Sequence, residues 1–134
     1  FINGTVRTLS KEAQLLIVKR LKELCKGYSR GFGGKIKLDY NYGYPPTVNH
    51  QRETKFAAEV AKEIVGVQNV DMNAKPIMAS EDFSYMIEKR PGCYFHVGQG
   101  VGAAVHNPKY DFNDELSPIG ASFFVKLVEK ANPF

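Results

Sequence analysis

The chain has 134 residues, a formal net charge of +4 and two widely separated cysteines, Cys25 and Cys93. This length suits one domain or one piece of a larger protein, and the hydrophobic and charged fractions, 43% and 24%, are typical of soluble globular proteins. No apolar run approaches the roughly 20 residues of a membrane span, and the basic residues are dispersed, so the composition favours neither a membrane nor a nucleic-acid partner. The cysteine spacing indicates reduced thiols in a cytoplasmic protein.

Residues 1–48 predict a strand, a helix and a second strand, in that order. Alternating apolar and polar residues over 1–9 are typical of a half-buried strand. Ser10 is a favourable N-cap, and apolar residues then recur at helical spacing until Gly27, where the helix is expected to end. Alternation resumes over 36–44 and predicts the second strand. Because the first strand pattern begins at once and without Met, we expect a chain cut from a longer one.

The remaining residues, 49–134, predict three helices. The first is expected to end at Gly66, the second is short and should be capped by Ser80, and the last should open at Ser117, followed by Pro118. Short apolar segments predict further strands at 77–78 and 93–97. Alternating strands and helices indicate the α/β (α+β) class.

The longest segment without periodicity, residues 98–115, carries a candidate metal ligand, His106. A neutral imidazole near Asp111 and Asp114 could bind a divalent ion. On local sequence alone a surface histidine is the simpler interpretation, because a catalytic metal normally takes three protein ligands. His50, at a helix start, could contact a substrate or a metal ligand, although an ordinary structural role is the simpler interpretation.

Three further candidates have similarly open interpretations. Acidic side chains at the start of a helix, as in Ser80-Glu81-Asp82, suit the helix dipole, or could face a substrate. Arg7, on the polar face of the first predicted strand, could hold a carboxylate, although exposed arginines are common. The sequence has no phosphate-binding glycine loop, no GxSxG motif and no HExxH motif.

Six motifs nevertheless follow one another in a recognisable order. They are FINGTVRT (1–8), YPPTVN (44–49), MASEDFSY (78–85), PGCYF (91–95), HNPKYDFND (106–114) and LSPIGA (116–121). Together they cover essentially the whole chain. The series resembles the C-terminal part of the hippurate hydrolase and N-acyl-amino-acid amidohydrolase family of metallopeptidase-like enzymes.

The resemblance implies a parent protein of two domains. One is a catalytic α/β domain that holds two divalent metal ions, and the other is an inserted ferredoxin-like lid that mediates dimerisation. Residues 1–48 would be the second half of the lid, and residues 49–134 the C-terminal part of the catalytic domain. A partial lid would leave sheet edges open, so we expect a homo-oligomer or pairing of strand edges between copies.

The same resemblance assigns roles to particular residues. His106 would be the last metal ligand, on one of two ions that could be zinc, manganese, cobalt or nickel. Side chains near the substrate would come from Arg7, Asn49, Ser80, Glu81 and Asp82. The other ligands and the glutamate that acts as general base would lie upstream. No catalytic residue is therefore expected in this chain, which should be inactive alone.

These observations predict part of a metal-dependent enzyme that hydrolyses an N-acyl amino acid to a carboxylate and a free amino acid. One alternative is a non-catalytic dimerisation or assembly module, because the lid half is present without the catalytic apparatus. Another is a basic nucleic-acid-binding domain that stacks bases on Tyr40, Tyr42 and Tyr44. A packed sheet surface is the simpler interpretation of these tyrosines.

Overall fold

The computed structural model describes residues 1–133. Its helices are α1 (Lys11–Gly31), α2 (Gln51–Val65), α3 (Phe83–Lys89) and α4 (Leu116–Ala131), and a short 3-10 turn (Val67–Asn69) follows α2. Contacts divide the chain into two compact units. The first unit combines residues 1–48 with 75–90, and the second combines residues 49–74 with those from 91 onwards.

No strand forms among residues 1–133, so the strands predicted at 1–9, 36–44, 77–78 and 93–97 are wrong for this structure. An alternating pattern shows which side chains could share a face. A strand forms only where a neighbouring backbone supplies partners for its N–H and C=O groups. The helices agree with the predicted α/β class, whereas its sheets are missing from the part of the chain described. The ferredoxin-like lid and the domain assignment to 1–48 and 49–134 stay predictions.

In the first unit, α1 begins where the sequence predicted but ends later. The Ser10 hydroxyl accepts a hydrogen bond from the Ala13 N–H over 3.1 Å, which confirms the predicted N-cap. The predicted end at Gly27 is wrong, because α1 continues for a further turn. A glycine inside a helix costs only about 1 kcal/mol. The rings of Tyr28 and Phe32 stack one turn apart, with centroids separated by 5.9 Å, and stabilise the extension.

The first unit buries few side chains. Val18 of α1 and Ile87 of α3 are its buried apolar residues, and Ser84 is fully buried. The Ser84 hydroxyl donates to the Glu81 carbonyl over 2.6 Å, so this polar group is satisfied inside the unit. The predicted start of α3 is wrong: the helix begins three residues after Ser80, which therefore lies too far back to cap it.

In the second unit, α2 packs against α4 around a core of Ala57, Val60 and Phe123. A fully buried valine or phenylalanine side chain stabilises the fold by about 1.5–3 kcal/mol. The ring of Phe95 lies 4.7 Å from that of Phe123 and covers one side of the core. An ion pair between Lys130 and Glu63 also joins the two helices. Partly buried residues around the core are Ala61, Ile64, Cys93 and Leu127.

The ends of the helices in the second unit agree only partly with the sequence. Gly66 terminates α2 as predicted, with a φ of 87°. The predicted capping of α4 by Ser117 is wrong, since the helix already begins at Leu116. The Asn113 side chain instead accepts a hydrogen bond from the Glu115 N–H over 3.1 Å and starts the turn that leads into α4.

Candidate functional site

His106 occupies an unusual backbone position in the long loop between Phe95 and α4. Its φ of 69° is the only positive φ at a non-glycine residue among residues 1–133. The Asn107 N–H donates to the Ala104 carbonyl over 3.1 Å, which makes His106 the third residue of a β-turn. This position favours glycine or asparagine. Such strain costs about 1–3 kcal/mol and is concentrated at functional sites. The imidazole is exposed and therefore open to a ligand.

The loop around His106 is fixed by its own polar side chains. Asn107 accepts two hydrogen bonds, one at its carbonyl from the Tyr110 N–H and one at its side chain from the Lys109 N–H, both over 2.9 Å. The Tyr110 hydroxyl donates to the Gln99 side chain, also over 2.9 Å, and ties the two arms of the loop together. The irregular segment predicted from the sequence is thus an ordered succession of turns.

The described residues do not by themselves fit a complete metal site. No group of three or more His, Cys, Asp or Glu side chains within residues 1–133 is arranged to bind an ion. Asp111 and Asp114 line an open depression together with Lys109 and Glu115, and His106 is not part of its wall. His106 can therefore offer one ligand, whereas a catalytic divalent metal normally takes three from protein.

Asn49 makes hydrogen bonds that the sequence did not indicate. Its side-chain amide donates to the Tyr94 carbonyl over 2.7 Å, and the Tyr94 N–H donates back to the amide oxygen over 2.8 Å. The amide thus pairs with a peptide unit much as a neighbouring strand would. One N–H and one lone pair of the amide are not used in this pair and could still reach a substrate. The predicted substrate contact of Asn49 therefore stays a prediction.

His50 extends this pairing by one residue. Its backbone N–H donates to the Gly92 carbonyl over 3.1 Å, and the Gly92 N–H donates to its ring Nδ1 over 3.2 Å. We call these hydrogen bonds, between residues 49–50 and 92–94, the clasp. On sequence alone, a structural role without function is the simpler interpretation of His50. Nothing local could have indicated the clasp, because its partners lie 42 and 45 residues apart.

The remaining candidates lie in the first unit. Ser80 and Asp82 are exposed and Glu81 is half-buried, while Asp82 occupies the N-cap position of α3 without a capping hydrogen bond from its side chain. Arg7 is exposed and belongs to none of the ion pairs found among residues 1–133. Asn49 and His106 belong to the second unit. The substrate-side roles of the four residues in the first unit stay predictions.

None of the helices within residues 1–133 combines the length and apolar character needed to cross a membrane.

Comparison with known proteins identifies relatives over nearly the whole chain. It is 36% identical over 129 residues to the hippurate hydrolase of Campylobacter jejuni, which covers 96% of this chain and 34% of that enzyme. It is 33% identical over 137 residues to the N-acetyldiaminopimelate deacetylase of Streptococcus suis, covering 98% and 35% of the two chains. The deacetylase of the same name from Priestia megaterium is 31% identical over 128 residues, covering 96% and 34%.

The chain thus spans about a third of the length of these relatives. No solved structure matches it significantly. Residues 4–130 match the family described as Peptidase family M20/M25/M40. This match agrees with the resemblance seen in the ordered motifs and covers all but a few residues at each end. The chain therefore belongs to the M20/M25/M40 peptidase family.

Proposed function

We propose that this chain is part of a metal-dependent amidohydrolase that converts N-acyl amino acids to a carboxylate and a free amino acid. The names of the relatives support the reaction class, because hippurate and N-acetyldiaminopimelate are both N-acyl amino acids. The observation that carries the proposal for this chain is the exposed imidazole of His106 on a strained turn. Within a family of hydrolases, strain at an exposed, ligand-capable residue points to function.

His106 is proposed as one ligand of a divalent ion, with two ions in the whole protein and zinc, manganese, cobalt or nickel as candidates. Hydrolysis of an amide also needs a base for the attacking water. We propose that the base and the other ligands come from outside these 134 residues. The chain alone is then expected to be inactive.

The substrate side of the proposal rests on Arg7 and Asn49. Every N-acyl amino acid carries a carboxylate, and the guanidinium of an exposed arginine can hold a carboxylate through two parallel hydrogen bonds. The free N–H of the Asn49 amide could donate to the acyl oxygen. Ser80, Glu81 and Asp82 are proposed as further residues on the substrate side. The two free thiols are in keeping with a cytoplasmic location, which is also part of the proposal.

A chimera tests the proposal directly. This chain replaces the matching third of the Campylobacter jejuni hippurate hydrolase, and hydrolysis of hippurate and N-acetyl amino acids is measured with added zinc or manganese. We expect turnover by the chimera and a loss of at least about 10- to 100-fold in its His106→Asn variant. Asparagine tolerates the positive φ, so the turn is kept while the imidazole is removed.

The matched control is His96→Asn, which alters another exposed histidine of the second unit and should leave turnover within about twofold. A folded chimera without turnover would contradict the proposed reaction and favour a non-catalytic assembly role. Full turnover in the His106→Asn chimera would show that His106 is not a metal ligand. It would not contradict the proposed reaction class.

A further inference from the structure

The two halves of the clasp use different chemistry. Asn49 pairs with Tyr94 through a carboxamide, which does not change its charge with pH. His50 pairs with Gly92 through an imidazole nitrogen, which can accept a hydrogen bond only while it carries no proton. Neighbouring bonds on one short segment therefore differ in their dependence on protonation.

Gly92 presents both of its peptide groups to the same ring nitrogen. Nδ1 of His50 lies 3.2 Å from the Gly92 nitrogen and 3.4 Å from the Gly92 carbonyl oxygen. The Gly92 N–H is directed at Nδ1, and this is the shorter of the two contacts, so Nδ1 acts as the acceptor. This assigns the ring proton to Nε2. A proton on Nδ1 would place two N–H groups against each other and would break this bond.

The clasped segment leads directly to the loop of His106. Immediately after Tyr94, the Phe95 ring packs on Phe123 in the core of the second unit. Gln99, a few residues later, accepts the hydrogen bond from Tyr110 that ties the loop together. The clasp therefore fixes one end of a short, anchored path to the turn that carries the proposed ligand.

We propose that His50 is a positioning residue whose neutral ring holds Gly92 in place, and that protonation of this ring releases the Gly92 N–H while the Asn49–Tyr94 pair remains. The link between the clasp and a metal ligand at His106 rests on the proposed function, whereas the clasp itself does not. Histidine is the side chain that ordinarily changes charge between about pH 5 and pH 8.

None of the ion pairs found among residues 1–133 includes the His50 ring. The charged or titratable neighbours along the chain are Arg52 and Glu53 in the first turn of α2, and Cys93, which follows Gly92 on the facing segment. None of the four ion pairs involves these residues. The ring's hydrogen-bonding contacts are with Gly92.

Amide hydrogen exchange of the 134-residue chain, followed by NMR, tests the inference. The quantity compared is the ratio of the protection factors of the Gly92 and Tyr94 N–H groups, each corrected for the intrinsic exchange rate. We expect this ratio to fall by roughly fivefold or more between about pH 8 and about pH 5, as one hydrogen bond is lost. Tyr94 serves as the internal reference, because its partner does not titrate.

Two variants sharpen the test. In His50→Asn the side-chain oxygen can accept from Gly92 at every pH, so the ratio should no longer change with pH. In His50→Ala the ratio should be low at both pH values. A wild-type ratio that is constant with pH would overturn the inference without touching the proposed reaction, and so would a pH-dependent ratio in His50→Asn. The wild-type comparison decides the matter even if neither variant folds.

Discussion

The backbone angles of His106 and Gly66 restrict which side chains can replace these two residues. His106 has a φ of 69°, and Gly66 has a φ of 87° with a ψ of 150°. The second combination is essentially open only to glycine. A Cβ added at Gly66 would also lie 2.8 Å from the Gln68 side chain. The side chain of Gln68 is flexible and could move, so the backbone conformation, rather than the crowding, decides the cost of substitution at Gly66.

Replacement of Gly66 by alanine is therefore expected to lower the free energy of unfolding by about 1–3 kcal/mol. Urea unfolding of the chain, followed by far-UV circular dichroism, measures this change. Gly98→Ala is the matched control, because a Cβ there meets no atom within 4 Å and its φ is not positive. Equal destabilisation by the two substitutions would mean that the backbone conformation of Gly66 does not determine the loss of stability.

The sequence indicated some of these residues and not others, for a physical reason. The hydrogen bonds that Ser10 and Gly66 make at the ends of their helices join residues only three or four positions apart, so local sequence was sufficient to find them. The Asn107-Pro108 pair likewise signals a turn, but which residue takes the positive φ depends on how the turn closes. The clasp of His50 depends on contacts between distant segments, which no local pattern encodes.

At the scale of whole elements, the first turn of α1 is stabilised by a carboxylate that responds to pH. The pKa of Glu12 is held below its ordinary value of 4.5 by a hydrogen bond from its own backbone N–H and by one from the Ser10 hydroxyl. Because folding lowers this pKa, the unfolded chain binds more protons in acid. The contribution is present above the unfolded pKa and is lost as the pH falls through the folded pKa.

Glu12→Gln is expected to lower the urea midpoint slightly at about pH 6, and the difference from wild type should shrink towards about pH 3, below the ordinary carboxyl pKa. The effect is small, because the group is exposed. Glu88→Gln, which changes an exposed carboxylate in the last turns of α3, is the matched control. A difference for Glu12→Gln that stays constant with pH would contradict the proposed role of this carboxylate.

Helices and strands were predicted with different success because they satisfy their backbones differently. A helix such as α2 makes its hydrogen bonds within one segment, so apolar spacing and end signals are sufficient to find it. A strand makes its backbone hydrogen bonds with a neighbouring strand. Residues 36–44 have the alternation of a strand but no partner strand among residues 1–133. The sheet that this alternation predicts would need a partner strand from outside the described residues.

At the scale of the whole molecule, a large amount of apolar surface is left in contact with solvent. Only six apolar side chains are buried among residues 1–133, whereas many large ones are exposed. Examples with their exposed fractions are Leu15 (52%), Leu24 (54%), Phe32 (82%), Phe124 (62%) and Val128 (60%). Phe124 and Val128 lie one turn apart on α4, and neighbouring exposed apolar side chains of this kind generally mark surfaces that associate with other protein.

We therefore predict that the purified chain self-associates. Sedimentation velocity over a range from low micromolar to several hundred micromolar should show a sedimentation coefficient that rises with concentration. Phe124→Lys, which adds a charge to the exposed face of α4, should weaken this association, whereas Glu129→Lys changes charge on the same helix without removing apolar surface and serves as control. A single monomeric species throughout the range would contradict both the association and the predicted pairing between copies.

The discontinuity of the two units has a consequence for synthesis on the ribosome. Residues 75–90 belong with residues 1–48, and α2 lies between them in the sequence, while its partner α4 comes later. Val60 therefore cannot pack against Phe123 until the ribosome has translated a further 63 residues. At about 5–20 residues per second this delay lasts roughly 3–13 s. During that interval the apolar side of the nascent α2 has no packing partner from α4, which makes it a natural binding segment for a chaperone.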